Sequence, residues 1–188
     1  MGCALAVAAM PRAHPHDGVG LGNFVTLVRL ALTASLTVPV LMGGEVAWPI
    51  FWLAAAALLL DGIDGWLARR QRLTSRFGAR FDMEVDAALG LVLALNAFAA
   101  GTAGPLVLLL GLPRYLFAAA GRALPWLARP LPERFGRKAA CVVQIAALIA
   151  VQLPILPPAV AAAAIALAAL ALGWSFGRDI LWLRQRRA

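Results

Sequence analysis

The stretch DGIDGWLARRQRLTSRFGARFDMEVDA, residues 61–87, carries four aspartates and five arginines between two strongly apolar segments. The preceding segment reads FWLAAAALLL and the following one reads ALGLVLALNAFAA. An unpaired carboxylate is costly to bury in hydrocarbon, so ionisable residues beside membrane spans are candidates for function. The stretch therefore predicts a functional site where a membrane meets water.

The composition supports a membrane protein. The chain has 188 residues, of which 62% are hydrophobic and 14% are charged, whereas soluble domains are nearer half apolar and a quarter charged. A transmembrane helix needs about 20 apolar residues. Six such segments are predicted, at residues 24–42, 47–66, 81–100, 104–121, 139–155 and 157–177. We therefore expect an all-α integral membrane bundle of six transmembrane helices over residues 23–183, without a separate soluble domain.

The placement of the basic residues predicts the orientation of the bundle. Cytoplasmic loops of membrane proteins collect Lys and Arg. If the loop at residues 61–86 is cytoplasmic, the basic runs at 69–80, 122–138 and 184–187 share its side, while the opposite loops MGGEVAWP, GTAG and LPILPP contain neither Lys nor Arg. Both termini would then be cytoplasmic, as a flexible leader at residues 1–22 and a basic tail at 184–188. Orientation and anionic lipid headgroups account for the net charge of +8, so no nucleic-acid partner is expected.

Helical spacing groups the acids into two stripes. Positions i, i+3 and i+4 share one side of a helix, and two such sets combine acids with small residues: Asp61, Asp64, Gly65 and Ala68, then Gly78, Asp82 and Asp86. The eight residues between Arg69 and Gly78 can reverse the chain, so the stripes can face each other near the cytoplasmic surface. Facing carboxylates need a cation between them, and Mg2+ is commonly held by carboxylates together with substrate phosphates. The small residues leave room for a bulky ligand.

An alternative makes these aspartates ordinary solvated residues at the end of a span, paired with nearby arginines. For a single aspartate that interpretation would be favoured. Four aspartates in register with three small residues favour a functional site instead.

The stretch also carries a recognisable motif. It reads D-x-x-D-G-x-x-A-R-x8-G-x-x-x-D-x-x-x-D and resembles the signature of the CDP-alcohol phosphatidyltransferase family. The resemblance implies an enzyme that transfers a substituted phosphoryl group from a CDP-linked alcohol to a second alcohol and releases CMP. It further implies two divalent cations, Mg2+ or Mn2+, held by Asp61, Asp64, Asp82 and Asp86, with Asp86 also acting as general base on the acceptor hydroxyl. The nucleotide is expected at Gly65, Ala68, Arg69 and Gly78.

Basic residues elsewhere suggest where the acceptor binds. Arg114 follows Pro113 inside the fourth predicted span, where it needs an anionic partner or a polar cavity. With Arg137, Lys138 and Arg178 it could form a basic pocket for an acceptor that carries phosphate. Glycerol 3-phosphate is favoured, and inositol phosphate is an alternative. Two other interpretations stay open: Arg178 pairs with Asp179, and Arg137 and Lys138 contact lipid headgroups.

The expected partners follow from the resemblance. CDP-diacylglycerol is the expected donor, reached laterally from a bacterial inner membrane, and a polar alcohol arrives at an active site on the cytoplasmic side. Membrane lipids surround the protein, and a homodimer is an open alternative. A rival within the family uses CDP-choline or CDP-ethanolamine as donor and diacylglycerol as acceptor. A rival of another class, a non-catalytic transporter or cation channel, predicts acids near mid-membrane and an open path across it.

The remaining polar residues of the spans have simpler interpretations. Near the start of the first span, Arg29 either snorkels to the interface or lies beside the headgroup site, and neither is preferred. Glu84 is off the motif face and is expected to be a surface or helix-packing residue. Asn96, Gln144 and Gln152 are expected to form hydrogen bonds between helices.

Overall fold

A computed structural model describes residues 21–71, 76–128 and 135–185. Within these ranges the chain is helical and contains no β-strand. Its α-helices, in chain order, are α1 (Leu21–Ser35), α2 (Thr37–Leu41), α3 (Trp48–Gln71), α4 (Arg76–Ala99), α5 (Leu108–Gly111), α6 (Pro113–Ala123), α7 (Phe135–Ala150) and α8 (Pro158–Gln185), with short 3-10 turns at Pro105–Val107 and Pro125–Ala128. The all-α prediction is confirmed for these ranges. Most of the predicted leader and the last three residues of the tail lie outside them.

Each predicted span coincides with helical structure, although the boundaries differ. Trp48–Gln71 continues five residues beyond the predicted end at residue 66, because the motif residues Ala, Leu, Arg and Gln are good helix formers. Arg76–Ala99 likewise begins five residues before the predicted start at 81. The motif is therefore helical on both sides of residues 72–75.

The fourth predicted span is broken. Pro105–Gly111 and Pro113–Ala123 meet at an angle of 66°. Proline lacks the backbone N–H that an uninterrupted helix needs, and its ring collides with the preceding turn. Pro113 therefore starts a new helix instead of continuing the old one, and Arg114 lies in the first turn of α6.

Two helical segments of the described chain are long and apolar enough to cross a membrane, Phe24–Leu41 and Pro158–Gln185. The bent pair around Pro113 would make a third. The apolar part of α3, Trp48–Gly62, is shorter, because the charged motif occupies the rest of that helix. Six spans with both termini in the cytoplasm therefore stay a prediction.

Helix α4 lies at the centre of the packing. It contacts α1, α2, α5 and α7, while α1 also packs along α3 and α7 along α8. Leu89, Leu93 and Ala97 of α4 are fully or almost fully buried. The contact with α5 is close because Gly111 has no side chain: a Cβ there would lie 3.0 Å from the Cα of Leu91. This packing fixes α4, and with it the second half of the motif, against its neighbours.

Buried amides lock the end of α4 that is remote from the motif. Asn96 donates hydrogen bonds to the carbonyl of Glu45 (2.6 Å) and to the side-chain oxygen of Gln152 (2.8 Å). Gln152 donates to the carbonyl of Leu93 at 3.0 Å. Gln144 donates to the carbonyl of Leu110. The predicted helix–helix role is confirmed for Gln144. Asn96 and Gln152 instead join α4 to the loop before α3 and to the turn after α7.

Candidate active site

Three aspartates of the motif converge where α3 and α4 meet. Asp61 comes from α3, and Asp82 and Asp86 come from successive turns of α4. One carboxylate oxygen from each lies within 4.8 Å of the others. Their side chains are 32%, 34% and 42% exposed, respectively. The cluster is thus held together inside the packing and still open on one side.

A guanidinium from α1 completes the cluster. Arg29 is only 1% exposed, and its Nη1 lies 3.1 Å from Oδ1 of Asp61. The same nitrogen contacts Oδ1 of Asp82, and Nη2 contacts Oδ1 of Asp86. Its Nε donates a hydrogen bond of 3.1 Å to the carbonyl of Ala57. Arg29 therefore links three helices through one side chain.

The local sequence explains why Arg29 reaches these groups. Ala57 and Asp61 are four residues apart, so they lie on one face of α3. Ala54 and Ala57 are completely buried, and their small side chains let α1 approach the backbone of α3 closely. Thr33 lies one turn beyond Arg29 on the buried side of α1 and donates to its carbonyl at 2.9 Å. The close approach of α1 to α3 at Ala54 and Ala57 brings the guanidinium of Arg29 to the acids.

The three carboxylates fit a divalent cation. Hard cations prefer carboxylate oxygens, and oxygens bound to one Mg2+ at about 2.1 Å lie at most roughly 4.2 Å apart. The observed cluster needs only a small contraction to meet that spacing. When ionised, three carboxylates and one guanidinium leave a formal charge of −2, which a divalent ion would balance. Within the described residues, Asp61, Asp82 and Asp86 are the acids that could hold the metal.

The other motif positions are less completely described. Asp64, Gly65, Ala68 and Arg69 belong to the backbone of α3, and their surroundings lie outside the described part of the chain. Gly78 is partly buried in α4, one turn before Asp82. The metal role of Asp64 and the nucleotide-binding roles of the other four residues stay predictions.

Arg114 has a protein partner. Its Nη2 lies 2.5 Å from Oε1 of Glu84, and both side chains are exposed. Glu84 is two residues from Asp82 and from Asp86, so it faces away from the carboxylate cluster. The expectation of a surface position for Glu84 agrees with its exposure. The predicted contact of Arg114 with an acceptor phosphate stays untested, and its need for an anionic partner is met within the chain.

The other three basic residues lie where α7 begins and α8 ends. Arg137 pairs with the buried Asp179 at 3.5 Å. Arg178 packs over the ring of Trp174 at 4.6 Å, and its buried Nε has no hydrogen-bond partner among the described residues. Lys138 is exposed. Asp179 thus meets Arg137 across two helices, while Arg178 lies against Trp174 and the backbone of Gly136.

Arg29 is the site residue whose role the sequence left open between the membrane interface and the headgroup site. A buried arginine inside an apolar span requires an anionic partner, and that signal was present. Its spacing could not distinguish a partner across the bundle from a headgroup at the interface. Contact with the acids places Arg29 in the site and excludes the snorkelling interpretation.

The fold and the site define a class of protein: a helical bundle with apolar, membrane-type segments and a carboxylate cluster able to hold a divalent cation. Comparison with known proteins agrees. The model of the CDP-alcohol phosphatidyltransferase family matches residues 19–175. The chain belongs to the CDP-alcohol phosphatidyltransferase family.

Two curated relatives are similar over shorter stretches. A protein of Helicobacter pylori named CDP-diacylglycerol–serine O-phosphatidyltransferase is 46% identical over 48 residues, which are 25% of this chain and 20% of that protein. A probable phosphatidylglycerophosphate synthase of Mycobacterium tuberculosis is 33% identical over 97 residues, 46% of this chain and 45% of that protein. The chain therefore spans less than half the length of either relative. No solved structure matches it.

Proposed function

We propose that the protein is an integral membrane enzyme of phospholipid synthesis. It transfers a phosphatidyl group from CDP-diacylglycerol to a small polar alcohol and releases CMP. Glycerol 3-phosphate is the favoured acceptor, which makes the reaction of the phosphatidylglycerolphosphate synthase type. The active site opens to the cytoplasmic side of a bacterial inner membrane.

The convergence of Asp61, Asp82 and Asp86 carries this proposal. Their oxygens lie within 4.8 Å of one another, although Asp61 is separated from the other two by most of the motif. The family model covers the same residues. A cluster of this kind binds the cation that a diphosphate substrate requires, and Asp64 is proposed as a further ligand from the motif.

The residues of the chain have separate tasks in the transfer. Asp86 takes the proton of the acceptor hydroxyl, because an alcohol is a poor nucleophile until it is deprotonated. The hydroxyl oxygen forms a bond to the phosphorus that bears diacylglycerol, while the bond from that phosphorus to the bridging oxygen of CMP breaks. CMP leaves with that electron pair. Two divalent ions, when bound, would neutralise the charge that develops on the diphosphate.

The basic residues at the start of α7 and the end of α8 support an acceptor that carries phosphate. Arg178 keeps a buried Nε without a hydrogen-bond partner among the described residues, and Arg137 and Lys138 lie at the facing helix end. A phosphate would satisfy such donors, and arginine binds phosphate in a fixed geometry. This favours glycerol 3-phosphate or inositol phosphate over an uncharged alcohol.

Serine is the second candidate acceptor. The relative from Helicobacter pylori is named for transfer to serine, and its short match has the higher identity of the two. Serine carries a carboxylate, which the same arginines could bind. It lacks the phosphate that would make full use of them, so it ranks second.

Acceptor-dependent CMP release tests the proposal. The full chain, purified in detergent, would be given CDP-diacylglycerol with Mg2+ or Mn2+ and one acceptor at a time: glycerol 3-phosphate, inositol phosphate, serine, or none. We expect glycerol 3-phosphate to stimulate CMP release most strongly. The Asp61→Asn variant serves as the inactive control. CMP release that no acceptor stimulates would contradict the proposed transfer. It would then favour the alternative of a non-catalytic transporter or channel.

A further inference from the structure

We propose that Arg29 is the resident counterion of the carboxylate cluster and that it exchanges with the divalent cation. Its charge would then set the affinity of the site for metal. This inference rests on the proposed function, since it takes the cluster to be the metal site.

The contacts of Arg29 place it in competition with a metal ion. Its two terminal nitrogens contact an oxygen of Asp61, Asp82 and Asp86, the three acids whose oxygens converge. A metal ion requires lone pairs of the same carboxylates. Two cations at such short separation also repel each other. The contacts of Arg29 therefore compete with metal ligation for the same three carboxylates.

The burial pattern shows how the exchange can occur without unfolding. Arg29 is enclosed on the α1 side, whereas the acids are about one-third exposed or more on the other side. A metal ion can reach the acids from the open side. The hydrogen bond from Nε to the carbonyl of Ala57 does not involve the acids. The guanidinium can therefore loosen its terminal contacts while this bond keeps its base in place.

The exchange predicts two opposite effects of removing the charge. Without metal, Asp61, Asp82 and Asp86 repel one another, and Arg29 holds them together, so the variant should be less stable. When metal is present, the variant lacks the competing guanidinium, so it should bind the metal ion more tightly than the unaltered chain. A purely structural arginine would give the first effect without the second.

Binding of Mn2+ to the purified full chain, followed by the electron paramagnetic resonance signal of free Mn2+, separates these cases. We expect Arg29→Gln to bind Mn2+ on the order of tenfold more tightly than the unaltered chain. The matched control is Arg80→Gln, which removes the same charge from an exposed position on α4 and should change the affinity by less than about twofold. In EDTA the melting temperature of Arg29→Gln should fall, and added Mn2+ should restore it.

Equal or weaker Mn2+ binding by Arg29→Gln would overturn the inference. If this variant does not fold, Arg29→Lys replaces it. Lysine keeps the charge and loses the fork that contacts several acids, so Mn2+ binding about threefold tighter is expected, and unchanged binding would overturn the exchange.

The variant Asp82→Asn distinguishes a failure of the proposed metal site from a failure of the exchange alone. If Mn2+ binding to the unaltered chain does not depend on Asp82, the proposed metal site fails and the exchange fails with it. If Mn2+ binding does depend on Asp82, and Arg29→Gln binds Mn2+ as tightly as the unaltered chain does, the metal site stands and only the proposed exchange fails.

Discussion

Arg114 and Glu84 form an ion pair of 2.5 Å between α6 and α4. The pair lies on the side of α4 that faces away from the carboxylate cluster. Arg114 is therefore better explained as a link between helices than as a ligand for the acceptor.

A double-mutant cycle tests this pair. Arg114→Ala and Glu84→Gln should each lower the melting temperature, and the double variant should lose less than the sum of the two. Exposed pairs typically give coupling energies of about 0.2–1 kcal/mol. The KM values for acceptor and donor should change by similar factors. A rise in acceptor KM alone would return Arg114 to the acceptor site.

Substitutions of Asp86 and Asp61 should affect different steps, turnover in the first case and metal binding in the second. Asp86→Asn removes the proposed base, so kcat should fall by about 10²–10⁴-fold while donor affinity is largely kept. Asp61→Asn should weaken metal binding itself. Calorimetric titration of Mn2+ into both variants, beside single-turnover assays, measures the two effects. An equal loss of metal affinity in both variants would remove the support for separate roles.

Arg178 is expected to select for a phosphate on the acceptor. Losing one hydrogen bond to a charged group costs about 1.5–3 kcal/mol, so Arg178→Ala should raise the KM for glycerol 3-phosphate by roughly tenfold to a hundredfold. The donor KM should hardly change. Arg184→Ala, an exposed arginine farther along α8, is the matched control. Equal effects of both variants would indicate a general loss of surface charge.

The amides at the opposite end of α4 should contribute to stability. Gln152→Leu removes the donor to the carbonyl of Leu93 and the acceptor for Asn96. A buried polar group left without a partner costs about 1–3 kcal/mol, and each kcal/mol lowers the melting temperature by about 2–4 °C in a chain of this size. Ser35→Ala, which removes an exposed local hydrogen bond, should leave the melting temperature nearly unchanged.

Patterns among residues close together in the sequence predicted the helices and part of the candidate site. Hydrophobic runs located the helices, and the spacing of Asp82 and Asp86 placed both on one face of α4. The short segment between Arg69 and Gly78 predicted that Asp61 could face these two. Such features depend on residues a few positions apart, which a sequence displays directly.

The sequence did not specify the partners of residues that meet from distant positions. Arg29 meets acids 53 and 57 residues away, and several arrangements of the helices would satisfy its charge equally well. Arg114 was expected to need an anionic partner or a polar cavity, and its position in the sequence did not identify Glu84 as that partner. The fourth span was predicted as one segment, residues 104–121, and the size of the bend at Pro113 depends on packing such as the close approach of Gly111 to α4.

The order of residues along the chain adds a constraint on biosynthesis. Arg29 lies in Phe24–Leu41, the candidate span nearest the N-terminus, yet the partners in α4 follow it by more than 50 residues. Chains are synthesised at about 5–20 residues per second, so α1 must persist for seconds before Asp82 and Asp86 emerge, with Asp61 of α3 synthesised before them. Docking of α4 then completes the set of acids around Arg29. Helix α1 is thus completed by a helix that is synthesised later, and a chain truncated before Asp82 should leave α1 poorly anchored.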